Sequence, residues 1–176
     1  MNATNVLLIR HGQSKGNAER RFGGHTATPL SARGRNQAEA TARTLKSESL
    51  TAIYSSDLAR ALETAKPLAN MTGLTVQSTS AFRERDVGVM EGLTFEDAAQ
   101  QHPEQYAALL RRDFDYVLSG GESYRQLLDR ARQKLDEIIE DRGAVRRKTK
   151  NARTLATDIL DPAEAVKPLV KILETL

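Results

Sequence analysis

Four consecutive apolar residues, Val6-Leu7-Leu8-Ile9, run straight into Arg10 and His11. A short run without a polar position suits a strand covered on both faces, so a buried strand is predicted there. Pro29-Leu30-Ser31 closes a glycine-containing loop, and Ser31 is placed to cap a helix reaching about Lys46. Thr51-Ala52-Ile53-Tyr54 predicts a second short strand. Ser55-Ser56-Asp57 then caps a helix with Leu58, Ala61, Leu62 and Ala65 on one face, kinked at Pro67 and ended by Gly73. Leu74-Thr75-Val76 reads as a third strand. From Gly88 to Gly121 the pattern breaks into loop and short helices, one of them opened by Pro103. Ser123 caps a long helix to about Asp141, whose apolar stripe is Tyr124, Leu127, Leu128, Ala131, Leu135 and Ile138. Strands alternating with helices predict an α/β fold, a three-layer αβα sandwich around a mostly parallel sheet.

Composition narrows the chemistry. With 39% hydrophobic and 28% charged residues over 176 positions, the chain reads as globular and of single-domain size. It has no cysteine, which excludes disulfides, thiolate metal ligands and a thiol nucleophile. The histidines stand apart at 11, 25 and 102, a spacing that argues against a metal site. Neither a signal peptide nor a membrane span of about 20 apolar residues is present, so a cytoplasmic location without membrane partners is expected. Charge is uneven: residues 1–141 carry 18 Lys/Arg against 19 Asp/Glu, and residues 142–176 carry 8 against 4. The basic run Arg142, Arg146, Arg147, Lys148, Lys150 and Arg153 holds no aromatic residue to stack on a base. A solvated basic stretch fits it better than a nucleic-acid surface.

Candidate catalytic groups follow the predicted strands, where open α/β sheets gather them. The first strand leads into Arg10-His11-Gly12-Gln13-Ser14-Lys15-Gly16-Asn17, the second into Arg60, and the third into Glu84. An imidazole, guanidinium groups, a glycine and several hydrogen-bond donors together suit a phosphoryl group. Taken singly, Arg60 could pair with Glu63 on a helix surface, and Glu84 could belong to a solvated charged turn with Arg83, Arg85 and Asp86. His25 and His102 are expected at the surface, with His25 near enough to the Gly23-Gly24 turn to touch a substrate.

Together these segments resemble the histidine phosphatase (phosphoglycerate mutase-like) superfamily, nearest its fructose-2,6-bisphosphatase and broad-specificity phosphatase branch. The likeness covers residues 5 to about 140. It rests on Arg10-His11-Gly12, on Phe22-Gly23-Gly24, on Pro29-Leu30-Ser31 with Gly34, on Ser55-Ser56-Asp57-Leu58-Ala59-Arg60-Ala61, and on Gly120-Gly121-Glu122-Ser123. The resemblance implies that His11 becomes a phosphohistidine and that Arg10 and Arg60 bind the phosphate oxygens. Gly12, Gln13, Ser14, Asn17, Gly23 and Gly24 would line the phosphate site. Glu84 would protonate the leaving oxygen and later take a proton from water. The arginines supply the positive charge, so neither metal nor cofactor is implied. Ala27 stands where the family commonly has Asp or another polar residue, which points to an altered loop.

From residue 142 the likeness ends. Family members carry a second histidine after another buried strand, and here no histidine follows His102. The chain is therefore divided into a phosphatase-like part, 1–141, and a divergent part, 142–176, in which a basic segment precedes an amphipathic helix opened by Asp161-Pro162-Ala163-Glu164. A sheet strand is expected to be missing there. A changed reading frame near codon 142, a phosphate binder without turnover, and replacement of the histidine by another residue each account for this. The expected function is hydrolysis of a small phosphorylated metabolite through a phosphohistidine. Mutase-type phosphoryl transfer and non-catalytic binding of a phosphorylated ligand are the alternatives.

Overall fold

A computed structural model describes residues 5–146. His11–Asp136 form one compact unit, and 5–10 with 137–146 belong to a second. The larger unit is a mixed α/β arrangement with a short parallel sheet. Its elements in order are α1 (Lys15–Ala18), α2 (Ala32–Leu45), β1 (Ile53–Ser56), α3 (Ala59–Thr72), β2 (Val76–Thr79), α4 (Phe95–Gln101) and α5 (Pro103–Leu110). The last helix, α6 (Tyr124–Arg146), begins in this unit. Two 3₁₀ turns, Ser80–Phe82 and Gly88–Met90, flank the segment that holds Glu84.

Local chemistry explains most of these boundaries. Ser31 Oγ accepts the Gly34 amide and starts α2, as its position in the pattern predicts. Gly73, at φ 70°, ends α3 in the left-handed conformation that glycine adopts without strain. Pro103 occupies the first turn of α5, where its missing N–H leaves no bond unmade. Ser123 Oγ accepts the Gln126 amide at the head of α6, at 3.1 Å.

The strands differ from expectation. β1 and β2 begin two residues later than the apolar runs alone suggest, and they pair in parallel with Ile53 opposite Val76 and Ser56 opposite Thr79. Ser55 and Ser56 are therefore buried strand residues, and α3 starts beyond Leu58 without a side-chain cap. Residues 6–9 form no ladder among the described residues, and Leu7, Leu8 and Ile9 are 46, 45 and 44% exposed. An apolar run expresses a preference for burial, but a strand covered on both faces also needs neighbours to bond its amides and carbonyls. The sheet described is two-stranded. The expectations that a sheet strand is missing from 142–176 and that an amphipathic helix follows Asp161 fall on residues that, beyond 146, lie outside the described ones.

Two apolar clusters hold the larger unit. Ala42, Ile53, Leu68 and Ala69 join α2, β1 and α3, with Leu45, Leu50 and Val76 packed around them. Val87, Met90, Ala98 and Leu118 make the second, and Met90 and Leu118 are fully buried. This second cluster lies beneath the loop that follows Glu84, and fully burying side chains of this size stabilises by about 1.5–3 kcal/mol each.

Candidate active site

The loop after His11 is shaped by close backbone contact. A Cβ on Gly12 would lie 2.4 Å from the Gly34 carbonyl oxygen, and a Cβ on Gly34 would lie 2.0 Å from that of Gln13. Only glycine at both places lets the loop rest on the first turn of α2. Gly12 N donates to Thr64 Oγ1 at 3.0 Å, which ties the same loop to α3. Gln13 is anchored too: its amide donates to Gln37 Oε1 at 2.9 Å, and its Oε1 accepts from Ser31 Oγ at 2.8 Å. Ser14 and Asn17 form a capping box around α1, with Asn17 N to Ser14 Oγ at 3.0 Å and Ser14 N to Asn17 Oδ1 at 3.1 Å. The polar side chains of this loop thus hold its shape, while the Nδ2 group of exposed Asn17 makes no hydrogen bond among the described residues.

Arg60 is the centre of the arrangement. It is 3% exposed, so the surface pairing with Glu63 does not occur. Glu63 instead accepts the Leu30 amide through Oε2 at 2.9 Å. Arg60 Nη2 donates to Gly24 O at 2.8 Å, Nη1 to Thr26 O at 3.0 Å, and Nε to His11 Nε2 at 3.3 Å. A guanidinium has five N–H donors. Three are engaged in these hydrogen bonds, which leaves two for a ligand. Burial pulls the Arg60 pKa below its ordinary value, and the carboxylates of Glu84 and Glu91 oppose that fall.

These contacts assign the His11 tautomer. Nδ1 lies 2.7 Å from Gly12 O, an acceptor only, so Nδ1 carries the proton. Nε2 then holds the lone pair and accepts from Arg60.

Gly23 and Gly24 bend the facing loop. Gly24 has φ 44°, and a Cβ there would be 2.2 Å from Glu91 Oε1. Glu91 accepts the His25 amide through that oxygen. His25 is not the plain surface residue expected from the sequence. Its Nε2 lies 3.0 Å from Glu84 O, its Nδ1 is 3.4 Å from Asp86 Oδ2, and its side chain is 26% exposed. Sequence reasoning also passed over Glu91, whose only sign was its place next to Gly92 in the glycine-punctuated segment after Glu84.

Glu84 is exposed, with Oε1 accepting the Arg85 amide at 3.0 Å. Its charge acts on Arg60, so the larger unit draws His11, Arg60 and Glu84 into one electrostatic group. Arg10 is exposed and belongs to the other unit. Asp57, in the same box as Arg60, takes Arg83 through both oxygens at 2.7 and 2.6 Å. That hydrogen bonding holds the Asp57 pKa below its ordinary value.

Comparison with known proteins identifies the family. Residues 6–146 match the histidine phosphatase superfamily (branch 1). The chain belongs to that superfamily. A histidine phosphatase relative in Arabidopsis thaliana, phosphoglycerate mutase-like protein 4, is 40% identical over 137 residues, covering 76% of this chain and 59% of its own length. Among solved structures, the mycobacterial glucosyl-3-phosphoglycerate phosphatase is similar with a TM-score of 0.68 at 36% identity, covering 74% of this chain and 61% of that one. The alpha-ribazole phosphatase from Shigella flexneri is similar with a TM-score of 0.70 at 28% identity, covering 77% and 67%. The chain spans 59–63% of the length of the curated histidine phosphatase relatives it matches. Its relatives are phosphatases and mutase-like enzymes, and the α/β architecture is the one they share. Among the described residues no helix is long and apolar enough to cross a membrane.

Proposed function

We propose that this chain hydrolyses a small phosphomonoester through a phosphohistidine at His11. The observation that carries the reading is the Arg60–His11 contact: a buried guanidinium, fixed by two carbonyls, lies beside the lone-pair nitrogen of a neutral imidazole. A base held in that tautomer can act as a nucleophile without first losing a proton. As the phosphate takes over the Arg60 Nε hydrogen, the Nε2 lone pair of His11 is released and attacks phosphorus in line, the P–N bond forms, and the P–O bond to the leaving group breaks. The two remaining Arg60 donors, Arg10 and the Asn17 amide hold the equatorial oxygens, where charge develops. Glu84 enters this step in its acid form, gives its proton to the leaving oxygen and is left as the carboxylate. Water then attacks the phosphohistidine, Glu84 takes back a proton, and inorganic phosphate departs with His11 restored.

The solved relatives act, by their names, on quite different phosphorylated molecules, so a small phosphorylated metabolite is the substrate class proposed. The chemistry is assigned to residues 1–141, with 142–176 a separate segment. Within this sequence no histidine follows His102, so residues 103–176 do not supply the second imidazole that the family resemblance implies. Losing one such group lowers rates by roughly 10²–10⁴-fold. The same absence favours a second reading, a protein that binds phosphorylated ligands without turnover.

Hydrolysis of an aryl phosphate by the purified chain, beside His11→Ala, tests the first reading. Turnover that vanishes in the variant supports the phosphohistidine. Equal rates in both proteins overturn it, and stabilisation by inorganic phosphate without turnover supports the binder.

A further inference from the structure

The segment that carries Glu84 is wound around one side chain of α6. Arg130 Nη1 donates to Ala81 O at 2.8 Å and Arg83 O at 2.9 Å, with Ser80 O at 3.5 Å. Its Nη2 donates to Glu84 O at 3.0 Å. The other side of the guanidinium grips Glu122, with Nε to Oε2 at 3.0 Å and Nη2 to Oε1. Glu122 Oε1 in turn accepts the Asp86 amide at 3.0 Å. Backbone groups on both sides of Glu84 are therefore fastened to a single ion pair whose side chains are 24 and 16% exposed. Buried Arg85 closes the far side, donating to Glu122 O at 2.8 Å and Tyr116 O at 2.9 Å with its guanidinium 4.1 Å above the Tyr124 ring. Burial works against ionisation of Glu122, but the Arg130 hydrogen bond and the Asp86 amide outweigh it and keep its pKa below the ordinary value.

Four carbonyls within residues 80–84 turned toward one cation leave Glu84 little backbone freedom, and its own amide neighbour holds its carboxylate. Protonating a leaving oxygen demands placement within hydrogen-bond reach. We propose that Arg130 and Glu122 are the positioning pair of Glu84, acting on catalysis only through the acid they hold. The inference rests on the reading of Glu84 as proton donor given above.

Leaving-group dependence tests it. An alkyl phosphate needs its leaving oxygen protonated, and nitrophenyl phosphate, with an acidic phenol, hardly does. On the alkyl ester Glu84→Gln is expected to lose on the order of 10²–10³-fold in kcat/KM, and on the aryl ester less than about tenfold. Arg130→Lys and the milder Glu122→Gln are expected to show the same imbalance, at least about tenfold in ratio, with kcat changed more than KM. Equal losses on both esters in the two pair variants, while Glu84→Gln is unequal, overturn the positioning role alone. Equal losses in Glu84→Gln itself overturn the acid and the inference with it. Should the chain show no turnover, amide exchange decides: the Asp86 and Arg85 amides exchange about tenfold faster or more in Glu122→Gln, with α2 and α3 unchanged. Unchanged exchange there sinks the pair's role.

Discussion

Replacing Arg60 by lysine keeps the charge and removes the fork. The guanidinium reaches Gly24 O, Thr26 O and His11 Nε2 at 2.8, 3.0 and 3.3 Å from one planar group. A lysine ammonium has three donors on one atom in place of a planar fork of three nitrogens, so it cannot reproduce all of these bonds and at least one is expected to be lost. A hydrogen bond to a charged group contributes about 1.5–3 kcal/mol, so losing one from this buried site predicts a fall in stability of about 2–3 kcal/mol. For a chain of this size that corresponds to a Tm lowered by roughly 4–12 °C. The two donors left for phosphate go as well, and removing one preorganised donor from developing charge typically costs on the order of 10²–10³-fold in kcat. Steady-state hydrolysis of an aryl phosphate and a thermal melt, run on both proteins, measure the two effects separately. A lysine variant within about threefold of the parent in kcat/KM, and melting with it, refutes the view that Arg60 is the phosphate clamp.

Other expectations follow from single contacts. Gly12→Ala places a methyl 2.4 Å from the Gly34 carbonyl oxygen, so the loop must move by about 1 Å, and activity should drop about 100-fold. Wild-type kinetics in that variant contradict the close approach. Met90→Ala should lower stability by about 2–5 kcal/mol in urea titration, since Met90 is fully buried in the cluster beneath the Glu84 loop. A loss below about 1 kcal/mol shows that the cluster collapses around the gap. Asp57→Asn tests the pH linkage. Because Arg83 depresses the Asp57 pKa, this pair stabilises the fold above the ordinary carboxylate value of 3.8, and the contribution is lost as pH falls through the lower folded value. The variant should melt slightly below the parent at neutral pH, and the gap should close below pH 3.8. A constant gap across that range contradicts the assignment.

Short-range chemistry was legible without coordinates. Ser31, Gly73, Pro103 and Ser123 mark helix ends because a hydroxyl cap, a left-handed glycine and a missing N–H act within one turn. The ordered boxes around His11, Arg60 and Gly120-Gly121 pointed to a histidine phosphatase before any contact was seen. Tertiary structure decided what depends on distant neighbours. Whether residues 6–9 pair into a sheet depends on partners far along the chain, and no ladder forms there among the described residues. Arg60 could have been a surface charge; two carbonyls from the Gly24 loop hold it in a buried position, and the Gly12 carbonyl sets the tautomer of His11. His25, Glu91 and Arg130 carried no periodic or motif signal, because their work is done on backbone groups dozens of residues away. Sequence pattern records preferences within a few residues, and only the packed chain determines which hydrogen-bonding groups those preferences meet.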